Sequence, residues 1–449
     1  MTIRSPGIAS GIDINSLVSQ LVAAERAPTK LRLDRVERRV ETQLSAFGKL
    51  KGAMSALVAS LAPLRSVAVF QLRKATSGDE TLLTANATAQ ARTATYDIEV
   101  VQLASAHKLR TAAIAGGGGA VIGTGTLTIT VGSRSFQLTI DGTNNTLAAI
   151  RDAINSAPDN AGVGATIVTT QAGAALVLTA TASGAANTVQ VTQSGGDGGL
   201  AVLTALTEIA PARDADVRID GLTVNSASNT ISGAIDGVTI DVRAAQPGRI
   251  VRLTVANDTA GVVDRVKKFV TDYNALALVV AQLRRYNPST AEAGPLLGDA
   301  LLRGIEGTVR GVVATAVPAG TSAYESLASV GVTTQADGTL KLDEAKLTAA
   351  LTAQFDAVGQ LFGAAQGIAT RLHAYLDGQL KLDAPLSNRT DALNSQKRSI
   401  VRDRDALERR MQALEVRYRA QFSAMDRMLA GMQQTSAFLA QRLAVNPGA

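Results

Sequence analysis

"LRLDRVERRVETQLSAFGKLKGAMSALVASL", residues 31–61, decides the fold. Leu33, Val40, Phe47, Met54 and Leu61 recur every seven residues, and Val36, Gln43, Leu50, Leu57 and Leu64 form a second series offset by three. This is a heptad seam with one polar member, Gln43. It predicts a long helix whose apolar stripe needs another helix to cover it. Pro63 and the VAVF that follows end the pattern.

A matching seam lies at the other end of the chain. Leu386, Leu393, Ile400, Leu407 and Leu414 are spaced by seven, as are Met411, Tyr418, Met425, Met432 and Leu439, with arginine-rich flanks. The two terminal helices pair antiparallel with each other, or each pairs with other chains. Met411, Met425, Met428 and Met432 suit either a packed core or an adaptable contact surface, because methionine is soft and unbranched.

Ahead of the first seam, "SPGIASGIDINSLVSQLVAAERAP" (5–28) carries an apolar stripe. Asp13, Asn15, Ser16, Ser19 and Gln20 interrupt it, so it lacks the unbroken core of a secretory signal. Ile8 and Ile12 fall in a flexible lead with Pro6, Gly7 and Gly11. From Ile14 the spacing is helical through Leu17, Val18, Leu21 and Val22, with Asp13 placed to cap. Pro28 is expected to end or kink this short helix.

Between the seams the pattern changes. From about Thr76 to Asp258, Thr, Val, Ala and Gly dominate and alternation replaces the heptad. "GTLTITVGSRSFQLTI" predicts a hairpin turning at Gly132–Arg134. "NTLAAIRDAINSA" predicts a short helix capped by Asn145 or Thr146, and "VGATIVTTQAGAALVLTATA" a strand pair. Helical spacing returns at Val263, Val266, Val270, Tyr273, Leu276 and Val280. A second helix, interrupted by glycines, is expected in "GPLLGDALLRGIEGTVRGVV", and a third capped by Asp343.

Composition narrows the functional classes. The 449 residues suffice for two to four domains. Aromatics are 3% with no Trp, which favours elongated modules and argues against base stacking on single-stranded nucleic acid. With no Cys, disulfides, thiol catalysis and cysteine metal sites are excluded. Residues 1–74 hold 12 basic and 5 acidic side chains, and residues 386–449 hold 11 and 6, so the ends are basic and the centre acidic. That asymmetry suits an acidic partner or simply solvated helix faces.

No catalytic constellation emerges. His107 and His373 are far apart in sequence, which removes a histidine-based zinc site. "GGGG" (116–119) and "GGDGG" lack a following Gly-Lys-Ser/Thr, and no G-x-S-x-G elbow is present. No cofactor is expected, and the chain is not expected to be an enzyme.

An ordered set of motifs resembles the flagellar hook-associated protein 2 family, the filament cap proteins. The set comprises "GIASGIDINSLVSQLVAAERAP" (7–28), "YDIEVVQLA" (96–104), "DGLTVNSASNTISGAIDGVTIDV" (220–242), "KKFVTDYNAL" (267–276), "GPLLGDALLRGI" (294–305), "LASVGVTTQADGTLKLDEAKL" (327–347) and "QFSAMDRMLAGMQQTSAFL" (421–439). "TLAAIRDAINSA" (146–157) resembles the IN motif of flagellin and hook proteins, with Ile154 and Asn155 at its core. The resemblance implies an α+β multidomain fold. Long terminal coiled-coil helices and a helical bundle form from both chain ends, with two β-rich domains inserted between them.

The expected divisions are a flexible export and assembly segment (1–30), an N-terminal coiled-coil helix (31–75), and an inner β domain (76–112 with 211–257). An outer β domain with the IN motif (113–210), a helical domain packing with the N-terminal helix (258–385) and the C-terminal helix (386–449) complete them. The coiled-coil seam is expected at Leu33, Val36, Val40, Phe47, Leu50, Met54, Leu57, Leu61, Leu393, Ile400, Leu407, Met411, Leu414 and Tyr418.

The resemblance further implies a homo-oligomeric ring, pentameric in the family, at the distal filament tip. The ring would keep exported flagellin from escaping and promote its folding and polymerisation. The implied partners are flagellin, the hook–filament junction protein, a cytoplasmic export chaperone and the type III export apparatus, without membrane insertion or nucleic acid. Ile14, Leu17, Leu21, Val22, Met425, Met428, Met432, Phe438 and Leu439 are the expected contacts with flagellin, junction or neighbouring subunits. The alternative is a surface adhesin that binds mucin or glycans through the β domains. An arginine-rich coiled coil on DNA is disfavoured by the acidic centre.

Overall fold

The structure is a computed structural model that describes residues 13–318 and 320–444. The expected lead through Ile8 and Ile12 lies outside the described residues. The chain divides into two compact units, one from the two chain ends (to Val67 and from Ala260) and one from Ala68–Thr259.

Helix α1 runs unbroken from Ile14 to Leu64. The Asp13 side chain accepts from the Ser16 amide at 3.1 Å and caps it. The expected break at Pro28 is absent, since the helix passes through that residue. Proline there removes one backbone hydrogen bond. Pro28 faces solvent, and the helix is held against a partner helix on both sides of it. Packing therefore outweighs the local preference.

The β unit begins with β1 (Arg73–Ser77), β2 (Leu83–Ala87), β3 (Ala94–Gln102) and β4 (Lys108–Arg110). β5 (Gly125–Val131) and β6 (Arg134–Ile140) form the expected hairpin, followed by α2 (Leu147–Ser156) with Thr146 as cap. Next come β7 (Val163–Thr170), β8 (Gly173–Ala180), β9 (Val189–Ser194) and β10 (Thr207–Ala210). β11 (Ala215–Ile219), β12 (Leu222–Ser226), β13 (Thr230–Ile235), β14 (Val238–Val242) and β15 (Ile250–Asn257) complete it.

Two hydrophobic cores form in this unit. One is enclosed by the antiparallel five-stranded sheet β1-β15-β3-β11-β12 and the three-stranded sheet β13-β14-β2, with Ile98, Val217, Ile240 and Leu253 at its centre. Alternation along these strands sends one face inward, as in β15, where Val251, Leu253 and Val255 are buried and their neighbours are not. The other core lies among β10-β4-β8-β7, β6-β5-β9 and α2, which contributes Leu147, Ile150 and Ile154.

The helical unit continues with α3 (Thr259–Arg284), a short β16–β17 hairpin (Tyr286–Asn287 and Glu292–Ala293) and α4 (Ala300–Ala314). Of the glycines expected to interrupt this segment, Gly294 and Gly298 precede α4, whereas Gly304, Gly307 and Gly311 lie within it. Leu302, Ile305, Val309 and Val313 bury one face at helical spacing, and that packing carries the helix past its weak residues. β18 (Val332–Thr334) pairs with β19 (Leu340–Leu342), and α5 (Glu344–Ala353) follows with Asp343 as cap. α6 (Phe355–Gly363), α7 (Ile368–Leu380) and α8 (Pro385–Ala444) end the fold. α7 packs against α1, α4, α6 and α8. Phe269 of α3 meets Phe362 of α6 edge-on, with centroids 6.4 Å apart.

Candidate functional site

Helices α1 and α8 pair antiparallel, and ion pairs and one hydrogen bond to an amide fix their register. Lys397 donates to Glu41 at 2.8 Å, Arg404 to Asp34 and Glu37, Arg26 to Glu408, and Arg419 to Asn15 at 3.0 Å. Partners on α1 fall toward the N-terminus as those on α8 rise. Asp34, Glu37 and Glu41 lie within two turns of α1 and each meets a base of α8, so the contact is polarised as well as apolar. The Lys30 hydrogen bond, the largest cause, together with the Arg404 guanidinium, holds the Asp34 carboxyl below its usual value despite partial desolvation. Glu41 raises the Lys397 ammonium in turn.

The predicted seam residues line this hairpin to different depths. Leu33, Val40, Phe47, Leu50, Met54, Leu57 and Leu61 are buried, as are Leu393, Ile400, Leu407 and Met411. Val36, Leu414 and Tyr418 are half-buried. Toward the start of α1, Val18 and Val22 are also buried, whereas Ile14 and Leu17 are half-buried and Leu21 is at the exposed margin. Val22 thus packs inside the chain, whereas Ile14 and Leu17 are partly accessible and Leu21 is exposed.

One heptad series records how far the described part of α1 covers α8. Met411 is 3% exposed, Tyr418 is half-buried, and Met425, Met432 and Leu439 are 45%, 63% and 54% exposed. The change occurs level with Arg419, which reaches Asn15 at the start of α1. Beyond that point α8 continues for about 25 residues, roughly 37 Å of helix, with its stripe uncovered among the described residues. Met428 shares this face and is 70% exposed, and Phe438 stands beside it at 56%. The methionines therefore divide, with Met411 in the core and Met425, Met428 and Met432 on the surface.

Sequence reasoning missed several polar devices. The Asn155 side chain donates to the Ala165 carbonyl and accepts from the Ala165 amide, both at 2.8 Å. Asn160 does the same for Val163, and β7, which carries both residues, is a sheet edge. These two side chains occupy the places of a neighbouring strand. Asn229 joins Ala104 and Asn274 joins Leu340 by the same reciprocal pair of bonds. Such bonds depend on which backbone segments meet, which periodicity does not report.

The two histidines serve packing. His107 accepts from the Val189 amide at 2.7 Å and lies 3.2 Å from Glu208. His373 lies against Arg65. Among the described residues no cluster of three or more His, Cys, Asp or Glu forms a metal-binding group, and no helix is long and apolar enough to cross a membrane.

Comparison with known proteins places this arrangement. The family profile for the flagellar hook-associated protein 2 C-terminus matches residues 212–434, that for its N-terminus residues 10–107, and the flagellin hook IN motif residues 126–182. B-type flagellar hook-associated protein 2 of Pseudomonas aeruginosa is 36% identical over 98% of each chain. This chain belongs to the flagellar hook-associated protein 2 family.

The family's protein from Escherichia coli K12 is 30% identical over 99% of each chain. The crystal structure of the Escherichia coli flagellar cap protein FliD, domains D1-D2-D3, superposes with a TM-score of 0.66 at 30% identity. The match covers 78% of this chain and 99% of that one. Flagellar hook-associated protein 2 is thus a structural, filament-cap family, and its terminal helices and inserted β domains are the architecture found here. Asn155 and its bonds to Ala165 fall inside the matched IN motif.

Proposed function

We propose that this protein caps the distal end of the flagellar filament as a homo-oligomeric ring, retains exported flagellin, and promotes its folding and insertion. Membership of the cap family supports the setting. The observation that carries the mechanism is the heptad series of α8, which continues past its intramolecular partner as the exposed stripe Met425, Met432 and Leu439. A stripe with heptad spacing has the form of a helix-pairing surface, and exposed methionines adapt to changing partners. Flagellin, the junction protein and neighbouring cap subunits are its partners. Phe438 and the partly accessible Ile14, Leu17 and Leu21 extend the contact. Export runs through the type III apparatus with a cytoplasmic chaperone. The adhesin reading has no observation of its own.

The test is complementation of a strain lacking the gene. The deletion leaves hooks without filaments and monomeric flagellin in the medium, and the wild-type gene restores filaments. Met425→Asp with Met432→Asp leaves folding and secretion of the protein intact but fails to restore filaments. Normal filaments in the deletion strain overturn the capping function. Full rescue by the double variant overturns the role of the stripe.

A further inference from the structure

Methionine is the residue most open to oxidation here, because the chain contains neither Cys nor Trp. A mild oxidant therefore meets no faster thiol, and thioether sulfur becomes its main target. Accessibility then separates the methionines. Met54 and Met411 are 0% and 3% exposed in the helical hairpin, whereas Met425, Met428 and Met432 are 45%, 70% and 63% exposed on one face of α8. Reaching the first two requires the hairpin to open, while the other three are reached in the folded chain.

We propose that Met425, Met428 and Met432 form an oxidation site for peroxide-class oxidants, at which sulfoxide formation switches off the pairing surface of α8. The functional half rests on the capping function proposed above. In the step, a methionine sulfur lone pair attacks one oxygen of hydrogen peroxide. The S–O bond forms as the O–O bond breaks, the departing hydroxide leaves as water after proton transfer, and the sulfoxide remains. Sulfur loses two electrons and the peroxide gains them.

Three neighbouring sulfoxides replace a soft apolar face with polar groups that a dry helix contact cannot satisfy. Burial in the monomer changes little, because none of the three belongs to its core. The effect therefore falls on association rather than on folding. It is reversible, since methionine sulfoxide reductases return the sulfur to the thioether.

The full chain is treated with hydrogen peroxide, quenched at intervals and digested for mass spectrometry. Met425, Met428 and Met432 gain one oxygen each at least about tenfold faster than Met54 and Met411. Comparable rates at all five overturn the site. Untreated, oxidised and reductase-treated protein is then supplied to cells that carry hooks but lack this gene. Untreated protein restores filament growth, oxidised protein of unchanged helicity does not, and reductase treatment recovers it. Failure of the untreated protein overturns the capping function itself. Equal restoration by the oxidised protein, or a loss that reductases do not reverse, overturns the switch and leaves capping standing.

Discussion

Arg404 of α8 donates to Asp34 of α1 and, through the same nitrogen, to Glu37 one turn along. A single guanidinium thus spans two carboxylates on the partner helix and resists a slip of the hairpin by one heptad. Arg404→Glu would place three acids together. We expect the helical unit to melt a few degrees lower, with the loss largest at low salt. Adding Asp34→Arg should recover part of it. Circular dichroism melts of the single and double variants at two ionic strengths test the pairing, and an additive double variant would refute it.

Phe47 supplies an apolar counterpart to that pair. It is 1% exposed and borders a surface cleft of about 180 Å³ with Leu44, Leu380 and Leu386, where α1, α7 and α8 meet. Phe47→Ala removes a buried ring from the contact between these helices. A loss of about 3–5 kcal/mol is expected from denaturant unfolding followed by helical signal. Leu31→Ala, 58% exposed on the same helix, should change stability by less than about 0.5 kcal/mol.

The contrast between these residues shows what was legible in the sequence. Leu33, Val40, Phe47 and Met54 announce a buried stripe by spacing alone, and the stripe is buried. The partner of that stripe was visible only as a second seam with the same period. Register was not, because it depends on Arg404, Lys397 and Arg419 finding acids or amides hundreds of residues away. The end of coverage on α8 was hidden for the same reason. Met411 and Met425 belong to one heptad series, and the described part of α1 reaches α8 only as far as Asn15 beside Arg419. Pro28 misled because a local rule gave way to packing on both sides.

Asn155 protects a sheet edge, and that role is testable. Its carboxamide needs both a donor and an acceptor, because it faces both the amide and the carbonyl of Ala165. Asn155→Asp keeps the shape but sets an anionic oxygen against that carbonyl. A loss of about 1–3 kcal/mol in the β unit is expected, together with faster aggregation through the uncovered edge of β7. Unfolding followed by near-ultraviolet signal and light scattering during incubation report the two effects. Unchanged values for both would show that Asn155 does not hold the edge.

His373 gives the helical unit a pH dependence. Burial, the largest cause, and the Arg65 charge hold its imidazole below the ordinary value of 6.5, against a smaller opposing pull from Asp377. The folded state therefore binds a proton less readily than the unfolded chain. The sign follows from linkage: this group's contribution is fully present above pH 6.5 and is lost as pH falls through that value toward the lower folded one. His373→Gln should flatten this part of the profile. Thermal midpoints of both proteins between neutral and mildly acidic pH test it, and parallel curves would remove His373 from the account.

Pro28 gives the sharpest test of the unbroken α1. Within a continuous helix its ring lacks the N–H that would bond the Ala24 carbonyl, and its ring crowds that carbonyl. The residue faces solvent, so replacement disturbs no packing. Pro28→Ala restores the bond and a strong helix former, a gain of about 3 kcal/mol. The expectation is a helical unit more stable by up to about 3 kcal/mol, measured by denaturant unfolding. A variant that is no more stable would mean that residues 14–27 and 29–64 are separate helices in solution. Ile14, Leu17 and Leu21 would then sit on an arm able to move independently of the hairpin.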